Sequence, residues 1–504
     1  MHWLPLPWIV GALLLVSSLA SNVIADDKCA IDLSHIDKPR IFVLTDIENE
    51  PDDAQSIARL LLYANQFQIE GLVASTSFWL NDSVHPEKIQ SIVDGYDAVL
   101  SNLKRHSDGW PDTEQLRKRV KAGLPLYGMD GVGETKDSEG SNLLIDAVDA
   151  STEPLWVLVW GGPSILAQAL WRVEATRTTE QVNEFVSKVR VYAISDQDNT
   201  GTWIRRLFPR LFYIASVHHF NRYALAAWAG MSGGSVTYFW PCGADPDIVS
   251  PQWLKKNIQD VGPLGAKYPD TEYIAEGDTP SILYMIPNGL SDPEYPEWGS
   301  WGGRYGPVNY GEGHFADTVD TIEDVDGKPL MSSQATVWRW REAFQKDFAA
   351  RMRWTVKDRF EDANHVPVAV VNGSRDLRPV KLNVRVGESV FLDASDSCDP
   401  DNNATLSFKW WQYFEPSSTV NSKSRVPALK LSSNSSSTIE VHIPPQEITH
   451  KSLRGSDPLT DPQLHIILEV SDGELVAYRR IVLNVERAWN RPKSNGSGAS
   501  HDEL

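Results

Sequence analysis

The stretch Arg40-Ile-Phe-Val-Leu-Thr45-Asp46-Ile-Glu48-Asn49-Glu50-Pro51-Asp52-Asp53 decides the fold. Its first six residues form an apolar, β-rich run of the kind that makes a buried strand. From Asp52 onward (DDAQSIARLLLYANQ) apolar residues recur at helical spacing behind two acids, which predicts a helix N-terminus. Between the two, Asp46, Glu48, Glu50, Asp52 and Asp53 crowd together at the strand's carboxyl end. Like charges so close repel one another. Helix N-terminal amides and a hard cation can offset this, and carboxylate oxygens are the preferred ligands of Ca²⁺. The bland alternative is a solvated acidic loop in which Asp52 and Asp53 only open a helix.

Working outward, apolar runs at 69–76, 155–160 and 189–194 predict further strands, and 86–103 and 164–172 predict helices. Strands alternating with helices imply an α/β fold, a parallel sheet flanked by helices on both faces. Ligands of such sheets bind beyond the carboxyl ends of the strands. Residues 241–309 are rich in Gly, Pro and Trp and read as an insertion or rim around a cleft. Residues 335–355 read as helix. Past His365 come short alternating runs at 381–386, 389–394, 406–414, 438–443, 465–470 and 476–485, which predict a smaller all-β Ig-like sandwich. The expected domains are 38–360 and 366–488.

The 504 residues carry 47 Lys and Arg against 67 Asp and Glu, a formal charge of −20. That disfavours partners held through phosphates, such as DNA, RNA or an anionic membrane. It suits a neutral small molecule or a cation. Cys29, Cys242 and Cys398 have no metal-ligand spacing, so at most one bridge is expected. Both ends carry addresses. Residues 8–20 are apolar and uncharged, too short to span a bilayer, and read as the core of a signal peptide cleaved near Ala25. The chain ends in His501-Asp502-Glu503-Leu504, which matches an endoplasmic-reticulum retention signal on a flexible 489–504 tail. Sequons at Asn81, Asn372, Asn403, Asn434 and Asn495 fit a glycoprotein of the secretory route.

The acidic segment resembles the nucleoside hydrolase signature Asp-x-Asp-Pro-Gly-x-Asp-Asp, with Asp46, Glu48, Asp52 and Asp53 on its four acidic positions and Asn49-Glu50 in place of Pro-Gly. The resemblance implies a Ca²⁺ held by Asp46 and Asp53, with Glu48 as general base and Asp52 supporting it or contacting the sugar. The run Trp160-Gly-Gly-Pro-Ser164-Ile165 is similar to that family's third-strand turn, which implies a metal-binding carbonyl at Ile165. Asp278, in Gly277-Asp278-Thr-Pro-Ser281, is the late acid that would complete the shell; Gly277 stands where the family's acid His usually lies. Ser75-Thr-Ser77-Phe-Trp79 replaces the usual sugar-contacting Gly-Asn, which makes Trp79 a sugar contact. The phrases TDIENEPDD, YGMDGVGETKDSEGSN, ISDQDNTGTWIR, EGDTPS, WGSWGGRYGP and, in the sandwich, VGESVFLDASDSCDPD resemble one subgroup in particular. These are cellulose-binding proteins with a nucleoside-hydrolase-like N-terminal domain and a β-sandwich C-terminal domain.

Other segments leave alternatives open. Asp196-Gln-Asp198-Asn199-Thr-Gly201 opens like an EF-hand loop, but its twelfth position is Leu207, so that reading fails. It is either a second polar wall for sugar hydroxyls or an Asx turn. Trp301 and Arg304, on a Gly-rich loop, either stack on sugar rings or pack beneath the loop. His218-His219 is either a proton donor or structural. The expected function is a metal-dependent hydrolase of a glycosidic, N-glycosidic above all, bond; the alternative is a non-catalytic carbohydrate-binding protein.

Overall fold

The computed structural model describes residues 29, 38–217, 223, 225–231, 246–308, 313–323, 326–401, 405–417, 426–445 and 463–486. The signal peptide, the C-terminal tail, Cys242, His218-His219, Asn403 and Asn495 lie outside them. Cys29 and Cys398 form a disulfide.

Eight strands build the first sheet: β1 (Arg40–Thr45), β2 (Gln68–Ala74), β3 (Val120–Ala122), β4 (Leu155–Val159), β5 (Val189–Ala193), β6 (Phe212–Ala215), β7 (Tyr305–Pro307) and β8 (His314–Asp317). Their order is β3-β2-β1-β4-β5-β6-β8-β7, parallel throughout except that β7 runs antiparallel to β8 at the edge. All six residues of β1 are buried. Ile41 and Val43 join the core on one face of the sheet, Phe42 and Leu44 the core on the other. A central strand covered on both faces therefore has no polar side to show in its sequence.

The chain moves outward from β1 in one direction and from β4 in the other, so the two adjacent strands mark a topological switch point. The crevice beyond their carboxyl ends is where an open α/β sheet binds its ligand. Helix α1 (Pro51–Leu62) starts there, with Pro51 at its first position. Two expected helices are each broken: 86–103 divides into Pro86–Asp97 and Leu100–His106, and 335–355 into Ala335–Trp338 and Arg341–Trp354. The 241–309 segment is more than a rim, since its helix Thr279–Met285 is buried at every residue.

The C-terminal region is a mostly antiparallel sheet domain, in which Val380–Val384 alone among the described strands pairs parallel, with Val476–Val485. One sheet holds strands Val380–Val384, Val476–Val485, Gln463–Ser471 and Ser407–Tyr413 in that order; the other holds Ser389–Asp393, Thr438–His442 and Lys430–Leu431. Strand alternation divides the first sheet's labour. Trp410, Ile466, Leu468 and Ile481 fill the core between the sheets. Tyr413, Ile467 and Tyr478 point the other way and join the core of the α/β domain. The two domains thus share apolar packing, with Trp340 against Trp411, Tyr413 and Tyr478.

Candidate functional site

Asp46 follows β1, and Asp52 and Asp53 occupy the first turn of α1. Asp278 arrives from the opposite side, just before the buried helix Thr279–Met285. Carboxylate oxygens of Asp52, Asp53 and Asp278 all lie within 4.8 Å of one another, and all three residues are buried. Oδ2 of Asp278 has no hydrogen-bond partner among the described residues. Asp53 accepts a short hydrogen bond from the Thr45 hydroxyl, which also accepts from the N–H of Ile47 at 3.2 Å.

Asp278 is held by a polar brace that runs under the site. Arg59 on α1 donates to Glu276 at 2.9 Å, Tyr268 donates to the same oxygen at 2.8 Å, and Gln55 accepts from the N–H of Glu276 at 2.9 Å. Below it, Ser281 Oγ donates to the Asp278 carbonyl at 2.7 Å and accepts from the Trp160 indole at 2.8 Å. Helix α1 therefore fixes both sides of the cluster.

Burial and mutual repulsion raise these acids. Burial first, and then Glu50 and Asp46, push Asp52 up to about 8. Burial pushes Asp46 up to about 6 against a hydrogen bond from Ser77. Burial followed by the neighbouring carboxylates lifts Asp53 and Asp278 well above the ordinary range. Buried, under-satisfied oxygens from several carboxylates form a hard-cation donor set, so these residues fit Ca²⁺.

Glycine is required where the turns approach the acids. A Cβ on Gly161 would fall 2.8 Å from Asp46 Oδ1, and one on Gly277 would fall 2.7 Å from Asp52 Oδ2. Gly277→Ala should therefore displace Asp52 and weaken Ca²⁺ binding about tenfold, the scale of a disturbed supporting contact at a metal site. Calorimetric titration beside wild type checks this; unchanged affinity would show that Asp52 moves aside freely.

Several expectations change. Glu48 sits at φ 84, and its carboxylate, 41% exposed, pairs with Lys88 at 2.9 Å rather than joining the cluster. Glu50 is part-buried and feels the charge of Asp46. It precedes α1 without capping it through its side chain, and burial, then Asp46 and Glu272, raise its carboxyl. Ile165 lies in the first turn of the helix Ser164–Thr176, and its side chain packs over Gly123. Asp196 is engaged by the guanidinium of Arg205, and Asn199 Oδ1 accepts from the N–H of Met129 at 2.9 Å. Trp301 is 3% exposed and packs on Phe344 and Tyr478. Arg304 is 2% exposed and donates to Asp320 at 2.7 Å. Both are interior residues because the sandwich covers their loop.

Asp198 and Trp79 lie beyond the carboxyl ends of β5 and β2. Asp198 Oδ1 accepts from Thr200, an Asx contact, while its buried Oδ2 has no partner among the described residues. A Cβ on Gly162 would lie 2.3 Å from that oxygen. Trp79, 48% exposed, stands edge to face with Phe78 on the loop after β2. Glu50 and the Glu276 brace are the residues to which the sequence reading gave no role. Glu50 was one acid among five, and Glu276 opens the phrase EGDTPS, in which Asp278 drew the attention.

Residues 40–305 match the model of the cellulose-binding Sde182 nucleoside hydrolase-like domain, and residues 389–485 that of the cellulose-binding protein Sde0182 C-terminal domain. The chain belongs to this cellulose-binding family. A solved member-like structure is a nucleoside hydrolase-related hypothetical protein from Saccharophagus degradans, associated with carbohydrate metabolism. It is 33% identical, with a TM-score of 0.73 over 89% of this chain and 100% of that one. An inosine-uridine preferring nucleoside hydrolase from Bacillus anthracis matches at 12% identity and a TM-score of 0.29, over 63% of this chain and 92% of that one. No curated protein matches. The family's fold, a nucleoside hydrolase-like α/β domain followed by a sheet domain, is the one described above. Among the described residues, no helix is long and apolar enough to cross a membrane.

Proposed function

We propose that this family member hydrolyses a glycosidic, most naturally an N-glycosidic, bond in a Ca²⁺-dependent reaction at the switch-point cleft. The observation that carries the reading is the buried Asp52–Asp53–Asp278 cluster, in which Asp278 Oδ2 has no partner among the described residues. Asp52, Asp53 and Asp278 would hold the ion, with Asp46 beside them; bound there, Ca²⁺ supplies positive charge that acidifies water and grips vicinal sugar hydroxyls. Glu50, whose carboxyl is raised by burial and then by Asp46, would take the water's proton. Asp198 Oδ2 is free to accept a sugar hydroxyl, and Trp79 offers a ring face at the rim. The surrounding negative charge favours the oxocarbenium-like transition state.

Glu50→Gln should lower turnover by about 100-fold, the usual weight of a general base, while Glu48→Gln lowers it by less than about tenfold. The assay is sugar release from nucleosides and p-nitrophenyl glycosides by the Ca²⁺-loaded protein. The reverse order would return the base to Glu48.

The family's cellulose-binding description favours a second reading, in which the same cleft holds a carbohydrate without cutting it. Ca²⁺-dependent retention on cellulose, with no sugar released from any substrate, would select it. The proposal also places the protein in the endoplasmic-reticulum lumen as a glycoprotein, on the strength of the terminal segments and sequons; endoglycosidase sensitivity of the expressed chain tests this.

A further inference from the structure

Away from the acidic cleft, the domain junction holds a chain of three buried titratable side chains. His106 ends the helix Leu100–His106, with Nε2 3.0 Å from the Lys357 carbonyl and Nδ1 3.1 Å from Nε2 of His365. His365 lies on the connection into the sandwich. Its Nδ1 is 2.7 Å from Asp401 Oδ1, and its backbone N–H donates to Asp401 Oδ2 at 2.8 Å. Both histidines are 5% exposed. Trp354 and Phe360 stack against their rings.

The hydrogen count follows from the partners. A carbonyl and a carboxylate only accept, so His106 Nε2 and His365 Nδ1 must each carry a hydrogen. The nitrogen–nitrogen contact between the rings needs one more. Two neutral imidazoles carry two such hydrogens in all, so the complete chain holds one extra proton.

We propose that His106, His365 and Asp401 form a proton-operated clasp between the two domains, closed while the pair of rings holds the extra proton and loosened when that proton leaves. The charged groups facing it are Asp401 from the sandwich and Asp362, itself paired with Arg359. Lys357 contributes its carbonyl. Burial pushes His106 down. A groove of about 730 Å³, lined in part by Arg353, Lys357, Asp362, Asn364 and Glu474, runs along the same junction.

The sign follows from linkage. The closed clasp retains a proton that a histidine of the unfolded chain releases near about 6.5. Its stabilisation is complete below that value and is lost as pH rises through the pair's own titration. The test uses the full chain with isotope-labelled histidine, comparing wild type with His365→Gln. Long-range proton–nitrogen spectra should show an imidazolium at about pH 6 that is absent from the variant. The melting-temperature advantage of wild type over the variant should shrink by about half or more between about pH 5.5 and 8.5. Two neutral rings at about pH 6, or a gap that does not change with pH, would overturn the clasp. If His365→Gln fails to fold, His106→Gln assigns the same signals, and the wild-type spectrum alone decides the protonation state.

Discussion

Replacing Asp278 with Asn should raise the melting temperature of the metal-free protein and abolish its response to Ca²⁺. Asp278 is 2% exposed, and its neighbours within the cluster are Asp52 and Asp53. Burial, then Asp53, Asp52 and Asp46, hold its carboxyl well above the ordinary range. Without a cation these acids destabilise one another, so an uncharged amide of the same shape removes repulsion worth on the order of 1–2 kcal/mol. With Ca²⁺ present the balance reverses. At a concentration of about 100 times Kd, the ion stabilises wild type by about 2.7 kcal/mol, and the variant, lacking one ligand, by little or nothing. The pH dependence has a definite sign. Asp46 is pushed up to about 6 and Asp52 to about 8, so the folded metal-free state keeps protons that the unfolded chain has released. Stability of the metal-free protein from this cluster is therefore greatest near the ordinary carboxylate range and falls as pH rises through about 6 to 8. The benefit of Ca²⁺ grows across the same window, because protonated acids do not ligate. Scanning calorimetry with chelator and with Ca²⁺, at both ends of that window, checks all three statements. A variant that melts lower than wild type in chelator, or keeps the full Ca²⁺ response, would remove the cluster from consideration as a metal centre.

How much of this was legible in the sequence depends on how local its cause is. Strand Arg40–Thr45 could be read to the residue because burial on both faces leaves a continuous apolar run. Asp52 and Asp53 could be placed because a helix N-terminus has its own signature. The exposed pairing of Glu48 with Lys88 could not, since Glu48 and Glu50 are glutamates two residues apart and nothing local marks the positive φ at Glu48. The break at Ala98 and Val99 carries no Gly or Pro to announce it. Thr279–Met285 was hidden because a short helix buried all round has no periodic polar face. Whether Trp301 and Arg304 stack on sugars or pack beneath their loop stayed open because what covers them, Tyr478 and the Asp320–Tyr413 contact, lies far along the chain. Long-range partners of this kind leave no mark on the local pattern.

Those partners give the second large expectation: Asp320→Ala should cost about 3–5 kcal/mol and break the cooperativity between the domains. Asp320 is 0% exposed and receives Arg304 at 2.7 Å, Arg339 at 3.1 Å and the Tyr413 hydroxyl. Burial alone would raise its carboxyl, yet Arg304 and Arg339 hold it below the ordinary range. Alanine would leave the buried Arg304 guanidinium without its anion and Arg339 with Glu415 alone. The damage is not confined to one domain, because Arg339 also reaches Glu415 at 3.2 Å and Tyr413 belongs to the sandwich strand Ser407–Tyr413. Trp340, packed on Trp411, Tyr413 and Tyr478, makes the same junction apolar. Wild type should therefore unfold in urea as one transition, whereas Asp320→Ala should unfold in two, with the sandwich separating from the α/β domain. Glu342→Ala, which removes the exposed partner of Lys346, is the control and should shift stability by less than about 0.5 kcal/mol. If Asp320→Ala behaved like that control, the polar junction would be dispensable and the aromatic contact would hold the domains unaided. If it splits the transition, the sandwich is a structural part of the first domain: it covers the loop of Trp301 and Arg304, and so supports the helix behind Asp278 through the core both domains share.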